Sequence, residues 1–484
     1  MNLQQLVDLI NSYIWSTPLV LLCLGAGVYF SIRTRFLQVR LIKDMVTQLF
    51  QGHASQSGVS SFQGFAMALG GRIGIGNIAG VATAIAMGGP GALFWMWMIA
   101  FLGAGSAYIE SALAQVWKEK IGGVYRGGPS YYIEKGLGLK WYSIIFAVVT
   151  IISCGILLPG IQANSIATAF QSAFPPLKPL YTGIGLTALL GLIIFGGVKR
   201  IGKAAELMVP FMALGYIVMA LVIIAVNIGK LPAVLSLIFK SAVGMHSIFG
   251  GVVGSAIAWG VKRGIYSNEA GQGTGPQAAA AAEVAHPAQQ GLVQAFSVYV
   301  DTLFVCSATG FMLLMTGMYN TIDGKGGFLA QHIPGVPEGP IWTQMAVNTM
   351  VKGLGGPFVA VALFLFAFTT LMAYAFYTES NVAYLFKKKP AVGIFLARFF
   401  LLAMTFFGSI RTASLAWGLG DIGVGVMAWL NIIAILLLTR VGLATLKDYE
   451  EQRKSGKPLT FDPDKLGIRN AELWHEINKK QLEP

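Results

Sequence analysis

The sequence predicts an all-α membrane protein of about eleven transmembrane helices, built as a five-plus-five inverted repeat with discontinuous helices and one extra N-terminal helix. Three observations predict this fold: the composition, eleven apolar stretches, and a sequence repeat. Of the 484 residues, 55% are hydrophobic and 11% are charged, whereas a soluble protein carries about a quarter charged residues. Most of the chain is therefore expected to lie in lipid.

The net charge of +13 does not indicate a nucleic-acid-binding protein, because Lys and Arg lie in short runs between apolar stretches and in the C-terminal tail. Cys23, Cys154 and Cys306 all lie inside apolar stretches and form no CxxC pair. The first basic residue is Arg33, so no basic region precedes the first apolar stretch. We therefore expect the first helix to be retained rather than cleaved as a signal peptide.

A spanning helix needs about 20 mainly apolar residues. The eleven stretches run near 13–32, 62–87, 91–116, 141–169, 181–198, 205–228, 246–283, 290–317, 356–385, 392–411 and 416–439. They divide the chain into an N-terminal helix with a cytoplasmic linker (1–61), a first unit (62–228), an extracellular connection (229–245), a second unit (246–440) and a cytoplasmic tail (441–484). We expect this tail to be a solvated helix or a mobile end.

The distribution of basic residues predicts the orientation. With the N-terminus outside, the cytoplasmic loops and tail hold 24 of the 34 Lys and Arg residues, including the lysine run 387–389. Cytoplasmic loops of membrane proteins are enriched in these residues. The sequence therefore predicts a multi-pass protein of a bacterial inner membrane, with its C-terminus in the cytoplasm.

Related sequence recurs at an offset of 191 residues. The first copy contains Arg72, Asn77, Ala79, Gly80 and Thr83, and the second contains Arg263, Asn268, Ala270, Gly271 and Thr274. Chance similarity in a Gly/Ala-rich chain is the weaker explanation, because Arg and Asn are rare here. Each unit has five spans, an odd number, so the second unit enters the membrane from the opposite side. Such inverted repeats are typical of secondary transporters.

Glycines interrupt the second span, where residues 70–77 read GGRIGIGN. Each Gly costs about 1 kcal/mol relative to Ala in a helix, and irregular backbone inside a membrane must be buried in protein or line a cavity. The segment is predicted to be unwound, with a half-helix N-terminus for a carboxylate and free carbonyls for a small hard cation. Close helix packing through small residues is the alternative.

Charged residues inside the spans are costly and need a partner or a function. We expect a network of Arg72, Glu110, Arg263, Glu269 and Asp301, in which Arg72 and the three acids pair across the repeat. Structural fastening of the bundle and a role in coupling are equally compatible with the sequence.

The ninth span contains two adjacent hydroxyls, Thr369 and Thr370. Such a pair can ligate a sodium ion. Hydroxyls in a helix also commonly bond back to the preceding turn, and the residues alone favour that interpretation.

Four segments resemble the alanine or glycine:cation symporter family. They are GGRIGIGNIAGV at 70–81, GGPGALFWMWMIAFLGA at 88–104, YRGGPSYYIEKGLG at 125–138 and RGIYSNEAGQG at 263–273. The resemblance extends over essentially the whole chain. It implies the leucine-transporter fold and sodium- or proton-coupled uptake of alanine or glycine.

The resemblance also implies roles for particular residues. The substrate carboxylate would bind the backbone of Gly74, Ile75 and Gly76; the sodium site would comprise the carbonyls of Gly70 and Ile73 with Thr369 and Thr370; Asn77 would serve a second cation or the substrate; and Gln162, Asn164 and Trp259 would line the pocket. Family members commonly have Thr where this chain has Ile75, which leaves glutamine and serine as alternative substrates.

Other classes of protein fit less well. A channel is compatible with an inverted repeat, but broken helices with a threonine pair favour a coupled carrier. The sequence has no HExxH motif and no P-loop, so we expect neither an enzyme nor an ATP-driven pump. The expected partners are a small neutral amino acid, co-transported sodium and membrane lipid, without an organic cofactor or nucleic acid, and the protein is expected to be monomeric.

Overall fold

The computed structural model describes residues 2–51, 57–410, 414–456 and 458–482, which are predominantly helical. The N-terminal part contains α1 (Leu3–Ile14), α2 (Thr17–Arg33), α3 (Leu37–Arg40) and α4 (Ile42–Thr47). The first unit contains α5 (Ser61–Arg72), α6 (Ala79–Gly88), α7 (Gly91–Val116), β1 (Glu119–Ile121), β2 (Val124–Arg126), α8 (Pro129–Tyr132), α9 (Lys140–Ile152), α10 (Leu158–Ala173), α11 (Pro179–Ile194) and α12 (Gly197–Val226).

The connection to the second unit contains α13 (Leu231–Ala242). The second unit contains α14 (Val253–Asn268), α15 (Gly275–Ala281), α16 (Pro287–Tyr299), α17 (Ser307–Thr316), β3 (Asn320–Ile322), β4 (Phe328–Gln331), α18 (Pro340–Asn348), α19 (Gly355–Leu385), α20 (Pro390–Ser409) and α21 (Ser414–Leu437). The C-terminal part contains α22 (Thr439–Ser455) and α23 (Leu473–Leu482).

Eight helical stretches of the described residues are long and apolar enough to cross a membrane. They are Leu3–Arg33, Gly91–Val116, Lys140–Ala173, Gly197–Val226, Pro287–Thr316, Gly355–Leu385, Pro390–Ser409 and Ala416–Leu437. Each of the eleven predicted spans contains a helix, but two of them are broken and α11 is short. The all-α membrane fold is confirmed, whereas the count of eleven stays a prediction.

The two units share an order of elements. Each begins with a broken helix, α5–α6 or α14–α15, followed by a long helical stretch and then by an antiparallel hairpin, β1–β2 or β3–β4. The breaks lie at residues 73–78 and 269–274. With the offset of 191 residues, Ile73, where the first break begins, corresponds to Gly264. α14 continues past Gly264 to Asn268, so the second break begins later in its repeat unit than the first break does.

Close helix packing occurs where α14 crosses α7. Gly260 and Gly264 are one turn apart on α14, and a Cβ on Gly260 would lie 2.6 Å from the Ala92 carbonyl oxygen. A Cβ on Gly264 would lie 2.4 Å from Ile99 Cγ2. Small residues at such positions let two backbones approach closely, which is how helices associate inside a membrane.

The C-terminal part is docked on the rest of the protein. Trp474 is fully buried, and its indole N–H donates to the Gln115 carbonyl at 3.0 Å. Arg40 binds Glu450 of α22 at 2.6 Å, and the Trp117 indole donates to the Arg469 carbonyl. The structure thus differs from the expected solvated or mobile end, because buried aromatic contacts hold the tail in place.

Candidate functional site

The chain leaves the helical conformation at residues 73–78. α5 ends at Arg72, and one 3₁₀ turn, Ile75–Asn77, precedes α6. The Asn77 side chain stabilises this segment, because its Oδ1 accepts the Gly74 N–H at 2.9 Å. Every residue of the segment is buried. The predicted unwound segment therefore exists, and its polar backbone groups lie inside the protein.

Thr369 and Thr370 of α19 lie against this unwound segment. Thr370 Oγ1 is 3.0 Å from the Gly70 carbonyl oxygen and 3.3 Å from that of Ile73. Thr369 Oγ1 is 3.3 Å from the Gly70 carbonyl oxygen. We call these two hydroxyls and two carbonyls the threonine–carbonyl cluster. It places four neutral oxygens together, the ligand type that hard cations prefer.

Both hydroxyls also bond back along their own helix. Thr369 Oγ1 lies 3.0 Å from the Leu365 carbonyl oxygen, and Thr370 Oγ1 lies 3.0 Å from that of Phe366. The two interpretations of the threonine pair are therefore compatible. A hydroxyl that donates its proton to the preceding turn keeps its lone pairs, which are then free to face a cation.

Gln162, Asn164 and Trp259 were expected to line the substrate pocket, and the structure places Gln162 apart from the other two. Gln162 is buried beside the break, where its Oε1 lies 3.4 Å from the Ile75 N–H nitrogen. Asn164 and Trp259 instead line a cavity on the side of α6 and α14. Gln162 therefore contacts the unwound backbone, whereas Asn164 and Trp259 line the cavity that leads to it.

Asp301 lies within a π-helical turn, Val300–Cys306, and is fully buried. Its carboxylate accepts from Asn77 Nδ2 at 2.7 Å, Ser267 Oγ at 2.9 Å and Thr302 Oγ1 at 2.7 Å. These donors are all neutral, and Asp301 forms no ion pair in the described part of the chain. Burial of a carboxylate is costly even with such donors, and a cation or a proton beside Asp301 would lower that cost.

The second break is held by Glu110 of α7. Glu110 Oε1 accepts the Gly271 N–H at 3.2 Å, and Oε2 accepts from Asn431 Nδ2 at 2.7 Å. Asn431 Nδ2 also lies 2.9 Å from the Gly271 carbonyl oxygen. Glu110 and Asn431 thus satisfy the backbone that the broken helix leaves unpaired. This arrangement favours a structural role for Glu110.

Arg72 forms its hydrogen bonds with neutral side chains of α16. Among the described residues it forms no ion pair; instead its Nη1 donates to Gln294 Oε1 at 3.0 Å and contacts the Ser297 hydroxyl. Arg72 Nε and Nη2 and Glu269 Oε2 are buried without a hydrogen-bond partner in the described chain. Arg72 nevertheless lies close enough to Glu110, Glu269 and Asp301 to attract their carboxylates electrostatically, so the charge network stays a prediction.

Arg263 pairs with an acid that the sequence analysis missed. Arg263 Nη1 binds Asp421 Oδ1 at 2.9 Å, and Lys262 Nζ binds Asp421 Oδ2 at 2.6 Å. The guanidinium also lies over the rings of Trp259 and Trp417, 5.2 and 5.4 Å from their centroids. Arg263 is therefore separate from the three acids of the predicted network, and it connects α14 to α21.

A cavity of about 890 Å³ reaches the broken helices from one side. It is bounded by α1, α6, α10, α14, the loop before α18, and α21, and Ala79 directly after the first break contributes to its lining. The opposite side is packed: Gln115 Nε2 donates to the Ala282 carbonyl at 2.8 Å, and Asn381 Nδ2 donates to Gln277 Oε1 at 2.9 Å. The structure is open on one side of the breaks and closed on the other.

Two broken helices inside a helical membrane protein, with access from one side, define the class of secondary active transporters. The model of the family described as "Sodium:alanine symporter family" matches residues 1–463. The chain belongs to this family, so it is a carrier and not an enzyme.

Curated relatives cover nearly the whole chain. It is 59% identical over 468 residues to the carrier protein YrbD of Bacillus subtilis (strain 168), with 96% of each chain covered. It is 51% identical over 438 residues to a sodium/proton-dependent alanine carrier protein of Bacillus sp. (strain PS3), covering 90% of this chain and 98% of that relative. A third relative, 44% identical over 475 residues and covering 98% and 96%, is named "Probable sodium/glutamine symporter GlnT" in Bacillus subtilis (strain 168).

Among solved structures, the chain is similar to the crystal structure of MhsT in complex with L-phenylalanine. The TM-score is 0.52 at 14% identity, and the match covers 86% of this chain and 96% of that one. At this identity the likeness shows the fold alone. The leucine-transporter fold implied by the sequence resemblance is thereby confirmed.

Proposed function

We propose that this carrier couples sodium entry to the uptake of alanine or glycine by alternating access. The observation that carries the proposal is the threonine–carbonyl cluster, which joins α19 to the unwound segment of the first broken helix. In transporters with broken helices, carbonyls of the unwound backbone coordinate the driving ion and half-helix N-termini hold the anionic group of the substrate. The family description and the alanine carrier of Bacillus sp. support alanine as the substrate.

The space around the first break supports a small substrate. A Cβ on Gly74 would lie 2.7 Å from Thr370 Oγ1 and 3.3 Å from Gln162 Oε1, and a Cβ on Gly76 would lie 3.2 Å from the Tyr266 ring. The amides of residues 74–76 are thus enclosed by larger side chains on several sides. A substrate with its carboxylate on these amides would have room for a hydrogen or a methyl side chain more readily than for glutamine.

Sodium at the threonine–carbonyl cluster would link the two parts of the site. The cluster bridges the end of α5 and the middle of α19, which are about 300 residues apart in sequence. A cation there would attract the Gly70 and Ile73 carbonyls and fix the unwound segment in one conformation. The substrate would then meet amides that are already in place, which couples ion binding to substrate binding.

Asp301 is the candidate for a second coupling ion. It lies directly beside Asn77, the residue that shapes the first break. A sodium ion at this carboxylate would give a second sodium site, and a proton would give the sodium/proton-dependent behaviour that the name of the Bacillus sp. relative describes. Proton coupling through Asp301 is therefore the second candidate for the driving reaction.

The orientation follows from the basic residues. We place the N-terminus outside and the C-terminus in the cytoplasm of a bacterial inner membrane. In this orientation the cytoplasmic loops and the tail carry 24 of the 34 Lys and Arg residues, as is typical of membrane proteins. The cavity that reaches the breaks is lined by α1 and by the loop before α18, both on the extracellular side in this orientation. The structure then corresponds to an outward-open state.

Substrate competition tests the proposed specificity. Purified protein in liposomes with an inward sodium gradient should take up labelled alanine, and excess glycine should inhibit this uptake strongly. Glutamine should inhibit weakly, because the side chains around these amides accommodate a hydrogen or a methyl group more readily than a longer side chain. Inhibition by glutamine equal to that by unlabelled alanine would contradict the assignment of the pocket.

A further inference from the structure

A second cavity, of about 570 Å³, lies away from the broken helices, where α9 begins and α19 ends. Its lining consists of Glu134, Lys140, Ile144, Tyr384 and residues 385–389. It shares no residue with either break or with the outward cavity. The transport mechanism therefore gives this cavity no role.

The lining is strongly basic. Four lysines, Lys140 and residues 387–389, face one acid, Glu134. Lys387 is neutralised by Glu119, at 3.0 Å, and lies 5.2 Å from the centre of the Tyr384 ring. The lysines that follow it, Lys388 and Lys389, are exposed and form no ion pair within the described ranges. The cavity thus keeps an unbalanced positive charge at its mouth.

An apolar track leads away from this charge along α9. Ile144 in the cavity wall, Val148 and Ile152 are four residues apart, lie on one face of the helix and are 39%, 41% and 43% exposed. Trp141, at the start of the same helix, is 64% exposed, as expected of a Trp at a membrane–water interface. The basic cavity therefore lies at the interface end of a helix whose apolar face points into lipid.

We propose that this cavity binds the headgroup of an anionic phospholipid, with the phosphate near Lys140, Lys388 and Lys389 and an acyl chain along the α9 track. Basic pockets between transmembrane helices on the cytoplasmic side are suited to anionic headgroups. A free phosphate ion would use the lysines but not the track. The bound lipid would join the start of α9 to the turn before α20, and it would do so independently of the transported substrate.

Lipid titration of the full-length protein tests this site. The protein in detergent micelles is titrated with phosphatidylglycerol or phosphatidylcholine, and bound lipid is counted by native mass spectrometry. Wild-type protein should retain phosphatidylglycerol in preference to phosphatidylcholine. Each lysine near a headgroup contributes roughly a factor of five in affinity, so the double variant Lys388→Gln/Lys389→Gln should bind phosphatidylglycerol about 25-fold more weakly.

The matched control is Lys199→Gln/Lys203→Gln, which removes two basic residues of α12 that do not line the cavity. The control should bind phosphatidylglycerol as the wild type does. Equal binding by wild type and the Lys388/Lys389 variant would overturn the proposal, as would equal retention of the two lipids. Full displacement of the lipid by inorganic phosphate at the same concentration would also overturn it, since the site would then recognise a free anion.

Discussion

At the scale of single residues, Thr370 is the most direct probe of the cation site. Replacing Thr370 with Val keeps the shape of the side chain but removes the hydroxyl that lies 3.0 Å from the Gly70 carbonyl oxygen. The cluster would lose one of its four oxygens. We expect the sodium concentration for half-maximal alanine uptake to rise by about tenfold, which corresponds to about 1.4 kcal/mol.

Thr378→Val is the matched control for this prediction. Thr378 lies on the same helix, is buried, and bonds back to the Tyr374 carbonyl at 2.8 Å, but it does not contact the first break. Loss of the Thr378 hydroxyl should leave the sodium dependence of alanine uptake unchanged. Equal sodium activation in wild type and Thr370→Val would remove the threonine–carbonyl cluster from the mechanism.

Asp301→Asn separates coupling from structure. Asparagine fits the same space but cannot carry the charge that would hold a second cation or a proton. The charge moved per alanine should therefore fall, and the reversal potential of alanine-dependent current in proteoliposomes should shift accordingly. An unchanged reversal potential would assign Asp301 a structural role only.

Glu110→Gln is the companion variant. Glu110 holds the backbone of Gly271 and the Asn431 side chain, so its replacement should weaken the second break rather than the coupling. We expect a lower melting temperature, reflecting a loss of about 1–3 kcal/mol for a perturbed buried hydrogen bond. The reversal potential should stay at the wild-type value, and a shift in it would instead place Glu110 in the coupling path.

Part of the candidate site was predictable from the sequence at the scale of single residues. The family resemblance implied a cluster of Gly70, Ile73 and the threonine pair, which the structure brings together. Asp421 was missed, although a lone acid in an apolar stretch is itself a signal, because an intramembrane charge needs a partner. Its partner Arg263 lies 158 residues away, and periodicity within one helix gives no information on such a contact.

At the scale of elements, the second break depends on Gly273. Its φ is +87°, and a Cβ there would lie 2.7 Å from Pro129 Cγ and 2.9 Å from the Phe146 ring. Gly273→Ala should therefore lose stability both from the left-handed backbone, about 1–2 kcal/mol, and from overpacking, about 1–3 kcal/mol. Thermal unfolding in detergent measures the sum.

Gly317→Ala separates these two causes. Gly317 has a φ of +73°, and a Cβ added there would meet nothing within 4 Å among the described residues, so its replacement is subject to the backbone strain alone. The melting temperature should fall less than in Gly273→Ala. Equal losses in both variants would show that close packing does not constrain the second break.

The first broken helix was predictable because its glycines occur together with Arg72 and Asn77 and the segment recurs in the repeat; glycines alone do not break a helix, since α21 contains four between residues 418 and 425 and is continuous. The docking of the tail was not predictable, because its contacts are tertiary: Trp474 contacts Gln115, and Arg469 contacts Trp117.

The sequence analysis also did not include the polar helix α1 in the first span. It contains Asp8 and Asn11, which line the cavity of about 890 Å³ and interrupt the apolar pattern.

At the scale of the whole molecule, the proposed orientation and outward-open state predict accessibility from one side. Thr83 lines the cavity of about 890 Å³, and the native Cys23, Cys154 and Cys306 are all buried. A Thr83→Cys variant in intact cells should react with an impermeant maleimide added outside. Alanine together with sodium should slow the reaction, because closure around the substrate would cover the cavity.

The variant Lys389→Cys tests accessibility from the cytoplasmic side. It lies in the exposed turn before α20 and should react only when the reagent reaches the cytoplasmic side. Reaction of Thr83→Cys from the inside and of Lys389→Cys from the outside would reverse the assigned orientation. The overall fold class followed from composition and the repeat, whereas the side on which the structure is open depends on tertiary packing that no local pattern records.

The most direct test of sodium-coupled uptake is the accumulation of labelled alanine in proteoliposomes under different gradients. An inward sodium gradient should drive alanine above its equilibrium concentration, and a sodium ionophore should abolish that accumulation. Equal uptake with potassium in place of sodium, or accumulation that a proton gradient alone sustains, would contradict sodium as the driving ion.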